Sequence, residues 1–116
     1  MQVWFNPSCS KCRLAQEMLD DAGEQFVLRR YLDDPPSVEE LTDVLAKLGL
    51  EPWEITRLGE PVAAELGLAD RPRERAAWIR LLAEHPILIQ RPIIVTDDGQ
   101  AWIARDEESV RKAIAG

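Results

Sequence analysis

Residues 2–31 constrain this chain more than any other stretch. The apolar run QVWF is followed by a helical stripe and then by a second β-rich run, QFVLRRY. Asn6 and Pro7 end the first run, because proline brings no N–H to a strand ladder. From Ser10 onward, Leu14, Ala15, Met18 and Leu19 fall at helical spacing, and Gly23 supplies a stop. Strand, helix and strand in that order predict two parallel neighbours joined by a right-handed crossover. Between the first strand and the helix stands NPSCSKCR, which holds both cysteines of the chain, Cys9 and Cys12.

After DDPP the pattern changes. Ser37 followed by Glu40 forms a capping box, with Val38, Leu41, Val44, Leu45 and Leu48 as the predicted buried stripe and Gly49 as the stop. Residues 52–69 read as short helical turns punctuated by Gly59, Pro61 and Gly67. Asp70 is the expected cap of a helix from Pro72 to about Glu84. RPIIVT and QAWIA read as two strands joined by DDG, a hairpin signal. Asp106 caps a final helix with Val110, Ala113 and Ile114 facing inward. Setting the central helices aside leaves βαβ followed by ββα, with Cys-x-x-Cys after the first strand. The expected class is therefore α/β: a single thioredoxin-like domain over 1–116, a four-stranded mixed sheet with an all-helical insertion at about 35–86.

Bulk properties exclude several functions. With 116 residues, 46% hydrophobic and 30% charged, the chain has the balance of one globular domain. A net charge of −7 speaks against a broad basic face for nucleic acid. The start, MQVWFN, has neither the basic onset nor the apolar core of a signal peptide. The longest apolar candidate, PILIQRPIIV, is broken by Gln90, Arg91 and Pro92, well short of the roughly 20 residues of a membrane span. A cytoplasmic monomer with no membrane contact is expected. In that compartment a permanent disulfide is disfavoured, and Cys-x-x-Cys is redox-active or metal-bound.

The residues around the cysteines favour redox chemistry. The thiolate is the reactive form, and a helix N-terminus lowers a thiol pKa. Cys9 precedes the helix, whereas Cys12 lies about a turn inside it, within reach of a sulfur adduct on Cys9. Lys11 and Arg13 are expected to add positive charge. Zinc would need four ligands, but the chain offers two cysteines and one histidine, His85, so no metal and no bound cofactor are expected.

NPSCSKCR resembles the cysteine loop of the glutaredoxin-coupled arsenate reductases and of the related Spx-type regulators. ITRLGEPVAAELGL, HPILIQRPIIV and GQAWIARDEESV are similar to the same family's later segments. The resemblance implies an oxidoreductase of arsenic detoxification, with Cys9 as the nucleophile that attacks arsenate. It also implies Arg57, Arg91 and Arg105 as the oxyanion-binding residues, with Asn6, Ser10, Lys11 and Pro92 in support. Arginine's planar fork suits an oxyanion better than lysine does. Arg91 precedes Pro92 where thioredoxin-like folds carry a cis-proline beside the reactive cysteine. Arg71, Arg73, Arg75 and Arg80 read as solvated helix charges. The chain departs from the reductase pattern in carrying Cys12 and in placing Phe5 before Asn6. An internal Cys9–Cys12 disulfide, reduced by an external thiol reductant such as thioredoxin or glutathione with glutaredoxin, is the implied end of the cycle. Two alternatives stand beside it: an Spx-type redox regulator that binds RNA polymerase, and a general thiol-disulfide oxidoreductase.

Overall fold

The structure, a computed structural model, describes residues 1–116 and divides into two compact units, Met1–Asp34 with Arg91–Gly116, and Pro35–Gln90. The first unit contains β1 (Gln2–Phe5), α1 (Ser10–Asp21), β2 (Val27–Arg30), β3 (Ile93–Val95), β4 (Ala101–Ile103) and α5 (Glu107–Ala115). Its sheet runs in the order β2-β1-β3-β4. β1 and β2 are parallel, with Val3 opposite Leu28, while β1–β3 and β3–β4 are antiparallel, with Ile94 between Val3 and Trp102. Three mutually aligned strands thus place Val3, Ile94 and Trp102 in one row of the same face. Val3, Phe5 and Ile94 pack with Cys9, Cys12, Ala15 and Leu19 from the α1 side and with Ala104, Val110 and Ala113 from the α5 side. α1 and α5 therefore cover one face of the sheet, and the cysteine loop is rooted in this core. Each large aliphatic side chain buried there contributes about 1.5–3 kcal/mol.

Between β2 and β3 every regular segment is helical. The second unit holds α2 (Val38–Leu48), α3 (Pro61–Glu65), α4 (Arg75–Glu84) and three 3₁₀ turns at Pro52–Ile55, Leu68–Asp70 and Pro86–Leu88. Leu41, Val44 and Leu45 of α2 and Trp78, Ile79 and Leu82 of α4 are buried. Trp53 and Trp78 meet edge to face at 6.1 Å. α2 carries the capping box its sequence predicts: Ser37 Oγ accepts from the Glu40 N–H, and Glu40 Oε1 accepts from the Ser37 N–H, both at 3.1 Å. Gly49 ends it in the left-handed region at φ 69°, where only glycine is unstrained.

Three expectations need correction. The second strand covers Val27–Arg30 rather than 25–31, as befits a short edge strand whose Val27 is exposed. Val38 does not belong to the buried stripe: it opens α2 and is 42% exposed, while Leu48 is half-buried. α4 starts at Arg75 with Glu74 as its cap, and Asp70 closes a 3₁₀ turn instead. Pro72 forces Arg71 into extended backbone, and the Pro72 carbonyl accepts from the Trp78 indole N–H at 3.0 Å, which holds this segment outside the helix. The final helix follows its sequence: Asp106 accepts from the Ser109 N–H at 2.7 Å, Val110 and Ala113 are buried and Ile114 partly so.

Candidate functional site

The cysteine loop is built from local hydrogen bonds. Asn6 ends β1, and its side-chain oxygen accepts from the Ser8 N–H at 3.0 Å, an Asx turn that Pro7 pre-sets. The Asn6 carbonyl accepts from the Cys9 N–H at 3.0 Å, and the Cys9 carbonyl accepts the first helical bond from Arg13 at 3.1 Å. Cys9 is thus the cap residue of α1, in extended backbone at φ −96° and ψ 122°. Cys12 sits one turn in, fully buried, and its Sγ accepts from the Asn6 N–H at 3.5 Å. Cys9 is 8% exposed and Cys12 0%, so only Cys9 touches solvent. The two thiols are free, not bonded to each other.

Their electrostatics diverge for identifiable reasons. Burial pulls the Cys9 thiol upward, but the Cys12 N–H, the Cys12 thiol, the Lys11 N–H and the Arg91 guanidinium together outweigh it and hold the pKa below its ordinary value. For Cys12, burial dominates and pushes the pKa up to about 12; the Asn6 N–H and Arg91 pull down, while the charge and hydrogen bond of Cys9 push further up. Lys11 and Arg13 are exposed, so the expectation that their side chains charge the site is corrected in part. Lys11 acts through its backbone N–H, and the guanidinium that acts is Arg91. Ser10 is exposed on the first turn of α1.

Arg91 and Pro92 lead into β3 through a cis peptide bond. The Arg91 Nε and Nη1 are buried and have no hydrogen-bond partner. Arg105, at the exit of β4, is half-buried and donates from Nη1 to the Arg91 carbonyl at 2.8 Å. Cys9, Cys12, Asn6, Ser10, Lys11, Arg91, Pro92 and Arg105 thus all belong to the first unit. Arg57 belongs to the second. Its backbone N–H donates to the Leu88 carbonyl at 2.7 Å beside the Thr56–Ile89 bridge, and its side chain pairs with Glu60. Sequence reading missed two of these features. The i, i+3 spacing of Arg57 and Glu60 could have revealed their pair. No sequence signal could have revealed the Arg105–Arg91 bond, because strand pairing creates it. Of the arginines expected to be solvated, Arg71, Arg73 and Arg80 are exposed; Arg73 also lies over the Trp53 ring at 5.8 Å, and Arg75, 40% exposed, pairs with Glu51 at 2.7 Å. No group of three or more His, Cys, Asp or Glu side chains converges as a metal site would require, and no helix is long and apolar enough to cross a membrane.

An acidified thiol at a helix start, a second thiol one turn on and an arginine with unpaired donors make a site for sulfur chemistry on an anion. Residues 4–113 match the ArsC family. The chain belongs to the ArsC family. Its relatives include an arsenate reductase of Neisseria meningitidis, 34% identical over 98% of this chain and 97% of its own. A Streptomyces viridochromogenes protein described as an uncharacterized protein in the glnII region is 52% identical over 99% of both chains. The solved arsenate reductase from Vibrio cholerae superposes with a TM-score of 0.84 at 36% identity, covering 99% of this chain and 97% of that one. The ArsC family assignment carries the thioredoxin-like fold and an arsenate reductase-like, thiol-dependent chemistry.

Proposed function

We propose that this chain is an oxyanion reductase that acts on arsenate or a similar oxyanion through Cys9, with Cys12 as the resolving thiol. The observation that carries the reading is the pairing of a low-pKa Cys9 with an Arg91 guanidinium whose buried Nε and Nη1 have no partner in the protein. Buried cationic donors without a partner are costly, and a bound oxyanion would satisfy them with charge-assisted hydrogen bonds. Arg91 is the principal ligand in this reading, with Arg105 in a supporting role and Asn6 shaping the loop.

The cycle balances as follows. The Cys9 thiolate attacks arsenic(V), and one oxygen leaves as water after protonation, which creates a sulfur–arsenic bond. Positive charge beside the site stabilises the negative charge on oxygen during attack. Cys12 then attacks the Cys9 sulfur: the Cys9–Cys12 bond forms, the sulfur–arsenic bond breaks, and its electron pair stays on arsenic, which departs as arsenic(III). The Cys12 proton passes to an oxygen of the departing arsenic(III) species, so a thiol held near pKa 12 at rest is deprotonated only as it reacts. An external dithiol, thioredoxin or glutaredoxin with glutathione, reduces the disulfide.

The test is NADPH-coupled turnover with arsenate, using each reductant system in turn, on the wild type, Cys9→Ser and Cys12→Ser. Arsenate-dependent NADPH oxidation that Cys9→Ser abolishes is the expected result; none with either system rejects the reading. A second reading, general thiol-disulfide exchange, is favoured by the Cys9–Cys12 pair itself. It predicts turnover of a disulfide substrate without arsenate and no effect of Arg91→Ala on oxyanion binding.

A further inference from the structure

We propose that the groove between α2 and α4 is a second ligand site, one that takes a small amphiphilic carboxylate, its apolar tail in the groove and its carboxylate on Arg80. The site lies wholly within Pro35–Gln90 and shares no residue with the cysteine loop, so it stands apart from the oxyanion reading. Val38 and Thr42, one turn apart on α2, and Arg75, Ala76, Ile79 and Arg80 of α4 line a cavity of about 430 Å³. Pockets for small molecules run from about 300 to 1,000 Å³. Val38 is 42% exposed, so an aliphatic side chain that the fold leaves uncovered forms part of the wall.

The chemistry of the walls selects the ligand. Val38, Ala76 and Ile79 are apolar, and the Thr42 hydroxyl is spent on its own helix, donating to the Val38 carbonyl at 2.8 Å. The charged groups in the lining are two guanidinium groups, and no carboxylate lines the cavity. The chain as a whole runs the other way, with 21 Asp and Glu against 14 Lys and Arg. Arg75 is engaged by Glu51 at 2.7 Å, whereas Arg80 is exposed and forms no ion pair, which leaves it open to a ligand. Its planar fork matches a carboxylate. Apolar walls and a cationic edge thus complement the two halves of an amphiphilic acid. The dimensions favour a small molecule over a helix. Val38 to Thr42 covers about 6 Å of helix axis, against the about 10 Å from i to i+7 over which an amphipathic helix anchors itself in a groove.

The test uses octanoate as the probe, with 1-octanol as the uncharged control and acetate as the tailless one. Each is titrated into the full chain by calorimetry and by amide-resolved NMR. Octanoate should saturate one site and shift the amides of Val38, Thr42, Ala76 and Ile79, while both controls bind at least about threefold more weakly. Arg80→Gln should weaken octanoate binding about threefold, the loss of one partly exposed ion pair, and added salt should shrink that difference. Val38→Asp puts a carboxylate into the cavity wall at a helix start, where an acid suits the helix dipole, so octanoate binding should fall about tenfold or more while the helix stays. Arg80→Gln changes an exposed side chain and guards against a folding defect in Val38→Asp. Arg91→Ala, at the other anion site, should leave octanoate binding within about twofold. Octanol binding as tightly as octanoate overturns the carboxylate. Binding that Arg91→Ala removes and Val38→Asp leaves in place overturns the groove, and octanoate that never saturates overturns the proposal as a whole.

Discussion

Replacing one cysteine at a time should expose a large asymmetry between the two thiols. At pH 7 a thiol of pKa about 12, as Cys12 has, is ionised to about one part in 10⁵, whereas any pKa below 9.0 leaves more than about one part in 100 of Cys9 as thiolate. The thiolate populations then differ by at least about 1,000-fold. Intrinsic nucleophilicity works the other way: it rises with basicity with a coefficient of about 0.4–0.5, so three pKa units return about 15- to 30-fold to Cys12. The net advantage of Cys9 is at least about 30-fold. Cys9→Ser removes the neighbouring charge that helps to hold Cys12 up, which narrows the gap, but burial is the leading cause and survives the substitution. An advantage of more than about tenfold should therefore remain. The assay is alkylation by iodoacetamide, followed by intact mass between pH 6 and 10, with Cys12→Ser reporting Cys9 and Cys9→Ser reporting Cys12. Rates within about threefold of each other at pH 7, or a faster Cys9→Ser, would show that helix-start position does not set the reactive thiol.

Three further outcomes test the physical account. Ser37→Ala, which removes the cap hydrogen bond while leaving the rest of α2 intact, should cost about 1 kcal/mol in chemical denaturation. Leu41→Ala should cost about 2–5 kcal/mol, because Leu41 is fully buried, whereas Val38→Ser should stay within about 0.5 kcal/mol in the same assay. The reduced protein should lose stability as pH rises above about 9: unfolded Cys12 releases its proton there and folded Cys12 keeps it to about 12, so the unfolded state binds fewer protons and stability falls by up to about 1.4 kcal/mol per pH unit. Denaturant melts of the wild type and of Cys12→Ser between pH 8 and 10.5 measure this, and an equal decline in both would remove Cys12 as its source.

Some of this was legible in the sequence because its causes are local. Ser37 with Glu40, Asp106 with Ser109 and Gly49 after α2 each act within one turn of helix, and all three stand in the structure as their spacing predicts. A four-stranded mixed sheet was legible from a βαβ unit and a hairpin signal, whereas the pairing of β3 with β1 had no local signal and came from the structure. The misreadings share the opposite property. Asp70 looked like a cap because proline follows it by two residues, but the Trp78 indole bonds the Pro72 carbonyl from inside the next helix and delays the start to Arg75. Val38 matched the helical period, yet a position in the first turn has neighbours on fewer sides than one in the middle. Arg73 and Arg75 are at the surface as expected, but their surface contacts with Trp53 and Glu51 were not legible, because those partners lie about twenty residues or more away in sequence.

The site divides along the same line. A cysteine directly before a helix is visible in NPSCSKCR, and the depressed Cys9 pKa follows largely from backbone N–H groups that any helix leaves unpaired at its start. The elevation of Cys12 could not be read that way. It comes from burial in a cluster with Val3, Phe5, Ile94 and the α5 residues, which arrive from three different elements. The same three-residue step therefore places one sulfur under the influence of the helix start and the other inside the core. Under the proposed cycle that step also sets the order of events, since the sulfur that ionises at rest attacks first and the sulfur that cannot ionise at rest acts only when a bonded adduct offers it a target. Inverting the order would take more than exchanging neighbouring charges. Cys12 would have to leave the core, and a variant that opens the Ile94 contact, Ile94→Ala, should lower the Cys12 pKa measured in Cys9→Ser while leaving the Cys9 pKa measured in Cys12→Ser close to its starting value.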